Sequence, residues 1–228
     1  MNTPDLSLFS MALAFLLLVI PLGASYIFKL GLFGSTVASV IRMSVQLLLV
    51  GFFLEYIFAW NNIWLNILWF LIMVVFASVS VIRESQLKLK LFLLPTLISF
   101  TIANGFVLLY FNGMVVKLTN VLEAQYIIAI GGMLLGNSLK GIVVGITLFY
   151  QNIKREQSRF IYSLSLGASQ LEAIAPYFRN SLVSALKPTI ASMATMGIVF
   201  LPGLMTGQIL SGLNPAIAIK YQIAIMVA

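Results

Sequence analysis

Apolar runs long enough to cross a bilayer, separated by short polar stretches, dominate the chain. The first covers residues 8–28, with Pro21 placed to kink it. The second covers about 37–58 and holds Arg42 near one end and Glu55 near the other. After a turn at Asn61-Asn62, further runs cover about 63–82, 91–111 and 125–150. A spanning helix takes about 20 residues, so each of these suffices. Residues 189–210 read as a sixth span that opens after Pro188, a residue suited to a helix start. The link SGLNP then leads into a seventh run from residue 216, which reaches Ala228 without a polar stop. Those last residues rise only about 20 Å as a helix, against a hydrocarbon core of about 30 Å. The seventh span is therefore expected to continue beyond this sequence. The expected fold is all-α: a polytopic helical membrane protein with six full spans and the start of a seventh, in one transmembrane domain over 1–228.

Composition agrees. The 228 residues are 61% apolar and 8% charged, too few charges to cover a water-facing surface. The runs are thus spans in a lipid bilayer, which excludes soluble enzymes and soluble binding modules. The net charge of +7 is not read as a nucleic-acid signal, because of where the basic residues fall. Lys29, Arg83, Lys88, Lys90, Lys154, Arg155, Arg159, Arg179 and Lys187 share one side of the predicted topology, and Lys117 alone falls in a loop on the other. Basic residues collect in cytoplasmic loops, so the N-terminus is placed outside. No Lys or Arg precedes Lys29, so the first run lacks the basic start of a secretory signal and reads as a retained span. The expected location is the cytoplasmic (inner) cell membrane, multi-pass.

Candidate chemistry is sparse. The chain has no His and no Cys, and Asp5 is its only Asp. That removes His- or Cys-based nucleophilic catalysis, haem attachment and ordinary zinc sites. Ser138 and Lys140, at i and i+2, point to different helix faces and do not form a hydrolase pair. No glycine-rich phosphate loop with its Lys-Ser/Thr end is present, so the chain binds no nucleotide. Polar residues within spans face a bundle interior or a water path. Arg42 either snorkels to the interface or works with Gln46, one turn along the same face. Asn137 is expected to pair across helices, as packing glue or as a substrate contact. The glycines of the fifth run (Gly131, Gly132, Gly136, Gly141 and Gly145) are expected to let helices approach closely. Met133 and Met205 are either packing filler or soft thioether contacts in a path. No metal site is visible. Glu55 and Glu123 lie near the outer ends and no acidic residue lies mid-span, which argues against a proton-coupled secondary transporter.

Residues 151–188 break the pattern with a dense run of charge. Phe160, Ile161 and Leu164 recur at helical spacing, and Gly167 suits a helix C′ position. Ser169 with Glu172 three residues on forms a capping box. The segment 152–180 therefore reads as helix, Gly turn, helix, with Pro176 bending or ending the second helix. Either the elbow lies on the membrane surface or it docks a soluble partner, with Leu164, Leu166 and Leu171 beside the small residues Gly167, Ala168 and Ser169 entering a groove.

Several motifs occur in an order that matches one family. LSLGAS at 164–169 resembles the Gly-centred coupling motif of ABC permeases. Arg42, Gln46, Leu47, Val50 and Gly51 resemble the second span of the FetB-like permeases. Gly132, Met133, Gly136 and Asn137 resemble the fifth span of that family. Leu201, Pro202, Gly203, Met205 and Gly207, followed by Asn214-Pro215 and residues 219–223, resemble its sixth and seventh. The family is associated with bacterial iron export and with aluminium tolerance in plants. The resemblance implies a permease subunit, as a homodimer, exporting iron or another metal ion. It also implies a separate ABC ATPase subunit that holds ATP and Mg and is coupled through Leu164, Leu166, Gly167, Ala168, Ser169, Leu171 and Glu172. Arg42, Gln46, Met133, Asn137 and Met205 are then candidates for the translocation path. A stand-alone secondary transporter or channel is the competing interpretation.

Overall fold

The computed structural model describes residues 7–228. Ten α-helices and one π-helical turn, with no strand, are found among the described residues. The chain divides into two compact units, one running to Trp60 with residues 210–212 and the other made of 61–209 and 213–228.

The first unit holds α1 (Leu8–Leu16), α2 (Val19–Ile27) and α3 (Phe33–Trp60). The first predicted span is broken at Leu17–Leu18, one turn before Pro21. Proline offers no N–H to the carbonyl four residues back. The backbone here tightens into i→i−3 bonds, from Leu17 N–H to Ala14 C=O and from Leu18 N–H to Phe15 C=O. Residues 9–27 together are long and apolar enough to span. The 28-residue α3 is apolar and almost wholly exposed, which suits a hydrocarbon surround.

The second unit is built on α4 (Ile63–Glu84), α5 (Leu89–Tyr110) and α6 (Ala124–Arg155). Five segments among the described residues are long and apolar enough to cross a membrane: 9–27, α3, α4, α5 with its π-helical continuation to Val115, and α6. Phe70, Val74 and Val81 of α4 pack with Phe100 and Leu108 of α5 and with Ile127, Ile130 and Leu134 of α6. Lipid is as apolar as these side chains, so close fit rather than water exclusion holds spans together. The glycines supply that fit. A Cβ on Gly131 would lie 3.2 Å from the Phe70 ring, and one on Gly132 would lie 3.0 Å from Met73 Cε. Gly145 approaches Ala185 in the same way, at 3.2 Å, Gly141 meets the Ala185 carbonyl at an ordinary 3.5 Å, and Gly136 faces open space.

Polar groups close the α4–α6 end. Asn61 Oδ1 accepts from Ala124 N–H at 3.0 Å and from Asn66 Nδ2 at 3.2 Å. The fully buried Asn66 also donates to the Leu122 carbonyl at 2.9 Å. The start of α6 is thereby fixed against the start of α4.

After α6 come α7 (Gln157–Ser165) and α8 (Gln170–Thr195), then α9 (Gly203–Leu210) and α10 (Pro215–Val227). Two expectations are corrected here. Pro188 does not open a helix: α8 runs unbroken from Gln170 to Thr195 with Pro176 and Pro188 inside it. Each proline costs one backbone bond, but the buried Ala173, Tyr177 and Ser181 anchor the first half of α8, and Ala185 meets Gly141 and Gly145 of α6 just before Pro188. Residues 189–210 are not one continuous span either. Met196 turns extended, Gly197 takes φ +87°, and the chain stays non-helical until Gly203. Pro202 disfavours helix at Leu201, and Gly197 supplies a left-handed turn that a side chain would resist. At the last helix Asn214 Oδ1 accepts from Ala216 N–H at 2.9 Å and Pro215 occupies the first turn, which caps α10.

Candidate functional site: the α7–α8 elbow and the α6–α8 cavity

The elbow expected over 152–180 is present. Glu156 separates α6 from α7, and Gly167 at φ +93° reverses the chain between α7 and α8. The capping box has formed. Glu172 N–H donates to Ser169 Oγ at 3.3 Å, while Ser169 N–H and Oγ–H donate to Glu172 Oε2 at 2.8 and 2.9 Å. These bonds, backbone first, hold the Glu172 carboxyl below its ordinary range. The rings of Phe160 and Tyr177 meet edge-on at 6.4 Å and join α7 to α8. Around the turn, Leu166 is 71% and Leu171 82% exposed, Leu164 and Ala168 are half-buried, and Gly167, Ser169 and Glu172 are exposed. The elbow is thus a braced reversal that presents leucines to its surroundings.

The same α8 then forms one wall of a cavity of about 720 Å³. The opposite wall is α6, with Phe92 of α5 and the last residues of α10 completing it. The lining is mostly apolar and aromatic, with polar positions at Asn137, Ser138, Tyr150, Ser181 and Thr189. Volumes of this order accommodate small ligands. Asn137 is exposed at this wall and, contrary to expectation, has no hydrogen-bond partner on another helix among the described residues. Ser138 takes that role, its hydroxyl donating to Asn104 Oδ1 at 3.4 Å while Asn104 Nδ2 donates to the Phe100 carbonyl. The Ser181 hydroxyl donates to the Tyr177 carbonyl at 2.8 Å, so it is occupied within α8.

The remaining candidates are dispersed. Met133 is half-buried against the α4–α6 core, and Met205 is buried in α9. Arg42 and Gln46 lie one turn apart on the exposed surface of α3, in the first unit. Among the described residues no three His, Cys, Asp or Glu side chains gather into a metal-holding group. The oxygen donors available at the cavity wall are amide and hydroxyl groups.

Sequence reasoning passed over Asn66, Asn104 and Gln222, all buried polar residues. The signal was present, since each is an amide side chain within an apolar helix. Gln222 Nε2 contacts Met196 Sδ at 3.9 Å and so ties α10 to the end of α8.

A bundle of long apolar helices with a braced elbow and a cavity beside it defines a multi-pass helical membrane protein. The chain matches the uncharacterised protein family UPF0014 over residues 8–228 and belongs to that family. It is 34% identical over 227 residues to the probable iron export permease protein FetB of Escherichia coli (strain K12), across 99% of this chain and 85% of that protein. It is 31% identical over 221 residues to the membrane protein YjkA of Bacillus subtilis (strain 168), covering 95% of this chain and 85% of the relative. The protein ALUMINUM SENSITIVE 3 of Arabidopsis thaliana is 32% identical over 219 residues, 94% of this chain and 77% of that protein. No solved structure matches the chain.

Proposed function

We propose that this chain is the membrane subunit of an ATP-driven ABC exporter, acting as a homodimer with a separate ATPase that holds ATP and Mg. The bias of the basic residues supports an elbow on the cytoplasmic side of the inner membrane, with the N-terminus outside. The observation that carries this reading is the continuity of α8. One helix begins at the exposed, capped elbow and ends beyond the cavity wall. A push on Leu171 therefore reaches Ser181, Ala185 and Thr189 through a single helix, and α6 through the seam at Gly145, while Leu166 joins it across the Gly167 turn. Leu166 and Leu171 enter the ATPase groove, Gly167 with Ala168 allows close approach, and Ser169 with Glu172 stiffens the start of α8. Leu164 supports the turn from within.

The cargo is iron or another metal ion, by the name of the Escherichia coli relative. Asn137 is favoured among the path candidates by its place on the cavity wall. Arg42, Gln46, Met133 and Met205 remain candidates through the family resemblance alone.

The test is co-purification of the ATPase with wild-type protein and with Leu171→Asp, a change at an exposed side chain that leaves the bundle intact. Loss of the ATPase, with normal insertion of the permease, is expected. Gly167→Pro is expected to retain the bundle and lose ATP-coupled transport. If Leu171→Asp still holds its ATPase and transports normally, the docking assignment is wrong. If wild-type protein purifies from its native membrane without an ATPase and transports alone, the secondary transporter or channel reading takes its place.

A further inference from the structure

At the base of the elbow, away from its leucine tip, α6, α7 and α8 enclose a polar notch of about 110 Å³. Asn152 and Arg155 come from the last turns of α6, Arg159 from the first turn of α7, and Tyr177 and Asn180 from α8. Glu156 is the one acid in the lining. Its carboxylate oxygens lie 3.8 Å from Arg155 and 3.5 Å from Arg159. Both separations exceed the roughly 2.7–2.9 Å of a charge-assisted hydrogen bond. The arginine side chains are also 76% and 77% exposed, and exposed pairs of this kind contribute little. Two guanidinium groups, each with five donors, therefore face the notch with most of those donors unused, and Lys154 adds charge on the same turn of α6.

The position matters as much as the charge. Arg155 ends the 32-residue α6, which rises about 48 Å against about 40–45 Å for a bilayer with its headgroups, so the notch falls near the headgroup level. On the cytoplasmic side the nearest anions are phospholipid headgroups, and basic residues just cytoplasmic of a span are attracted to them. We propose that the Arg155–Arg159 notch is a binding site for the phosphate of an anionic phospholipid. The bound lipid holds the foot of the elbow at the bilayer surface. The tip at Leu166, about 10 Å further along α7, stays available to a partner. The site requires the cytoplasmic placement but not the ATPase.

The experiment titrates purified protein in neutral detergent with phosphatidylglycerol, phosphatidylcholine or inorganic phosphate, and counts bound lipid by native mass spectrometry. Wild-type protein is expected to retain phosphatidylglycerol in preference to phosphatidylcholine. Arg155→Gln with Arg159→Gln is expected to weaken half-saturation roughly 25-fold, about fivefold for each basic residue at an anionic surface. Arg155→Lys with Arg159→Lys is expected to restore most of the binding, which separates charge from packing. Equal phosphatidylglycerol binding by wild type and the Gln pair would overturn the site. Displacement of the lipid by equimolar inorganic phosphate would make it a free-anion site and overturn the lipid assignment. The chain has no Cys, so Ser158→Cys reports placement independently through an impermeant maleimide. Labelling only from the cytoplasmic face is expected, and labelling from outside would overturn the placement and the proposal with it.

Discussion

Gly145 of α6 faces Ala185 of α8 so closely that a Cβ on the glycine would lie 3.2 Å from the alanine Cβ. That distance is tighter than ordinary van der Waals contact, so the seam has no spare room. It lies along the cavity wall, between the helix that carries the elbow and the long helix beside it. Gly145→Leu is expected to force the two helices apart and cost about 1–3 kcal/mol, as overpacking does. Thermal unfolding in detergent checks this. Gly136→Leu, at a glycine that faces open space, is the control and is expected to leave the melting temperature unchanged. Equal losses from the two changes would mean that the close approach at Gly145 does not hold the helices together.

The fully buried Asn66 leads to a second prediction. Its amide donates to the Leu122 carbonyl at 2.9 Å and to Asn61 Oδ1 at 3.2 Å. Asn66→Leu removes both donors and leaves the Leu122 carbonyl without this partner, at an expected cost of about 1–3 kcal/mol. Faster exchange of the amides from Leu122 to Tyr126 would locate the damage at the start of α6. A change confined to α4 would contradict the clamp described here.

Much of this architecture was legible in the chain. The boundaries read at 63–82, 91–111 and 125–150 fall within a few residues of α4, α5 and α6, because long apolar runs bounded by polar turns have few alternatives. The elbow was legible through two local signals, Gly167 and the Ser169–Glu172 spacing. The stretch 189–210 was not, because apolar composition conceals backbone breaks. Gly197 and Pro202 were the available signals, but neither interrupts the run with a charge. Pro188 misled for a related reason: a proline at a helix start and one inside a helix look alike locally, and only packing of α8 against α6 decides between them. The cavity was beyond reach, since it depends on bringing Asn137 and Thr189 to facing walls. The bond from Ser138 to Asn104 likewise joins residues 34 apart, which periodicity cannot pair.

The third prediction concerns acid. The Glu172 carboxyl is held low in the folded protein by bonds from the Ser169 backbone and hydroxyl. A depressed carboxyl contributes stability that is fully present above its ordinary, unfolded value and is lost as pH falls through the lowered folded value. The start of α8 is therefore expected to fray on acidification through the carboxylate range. Hydrogen-exchange protection at residues 169–173, corrected for intrinsic rates, reads it. Glu172→Gln is expected to remove the pH dependence, and Ser169→Ala to weaken the cap by about 1 kcal/mol at neutral pH. Unchanged protection in wild-type protein down to the bottom of that range would show that the box does not hold the elbow.

The fourth prediction separates cargo contact from packing at Asn137. The side chain is exposed at the cavity wall and has no hydrogen-bond partner among the described residues. Asn137→Leu should therefore alter stability by no more than about 0.5 kcal/mol, as surface changes do. If the amide meets cargo on its way through, losing one polar contact of about 1.5 kcal/mol lowers transport roughly tenfold. Ser138→Ala, its neighbour, breaks the bond to Asn104 and is expected to do the opposite, costing stability while sparing transport. Both variants go into the same pair of measurements, thermal unfolding and cargo efflux from vesicles. A crossed pattern supports a path along this wall. Loss of stability without loss of transport at Asn137 would make it packing glue and remove it from the path.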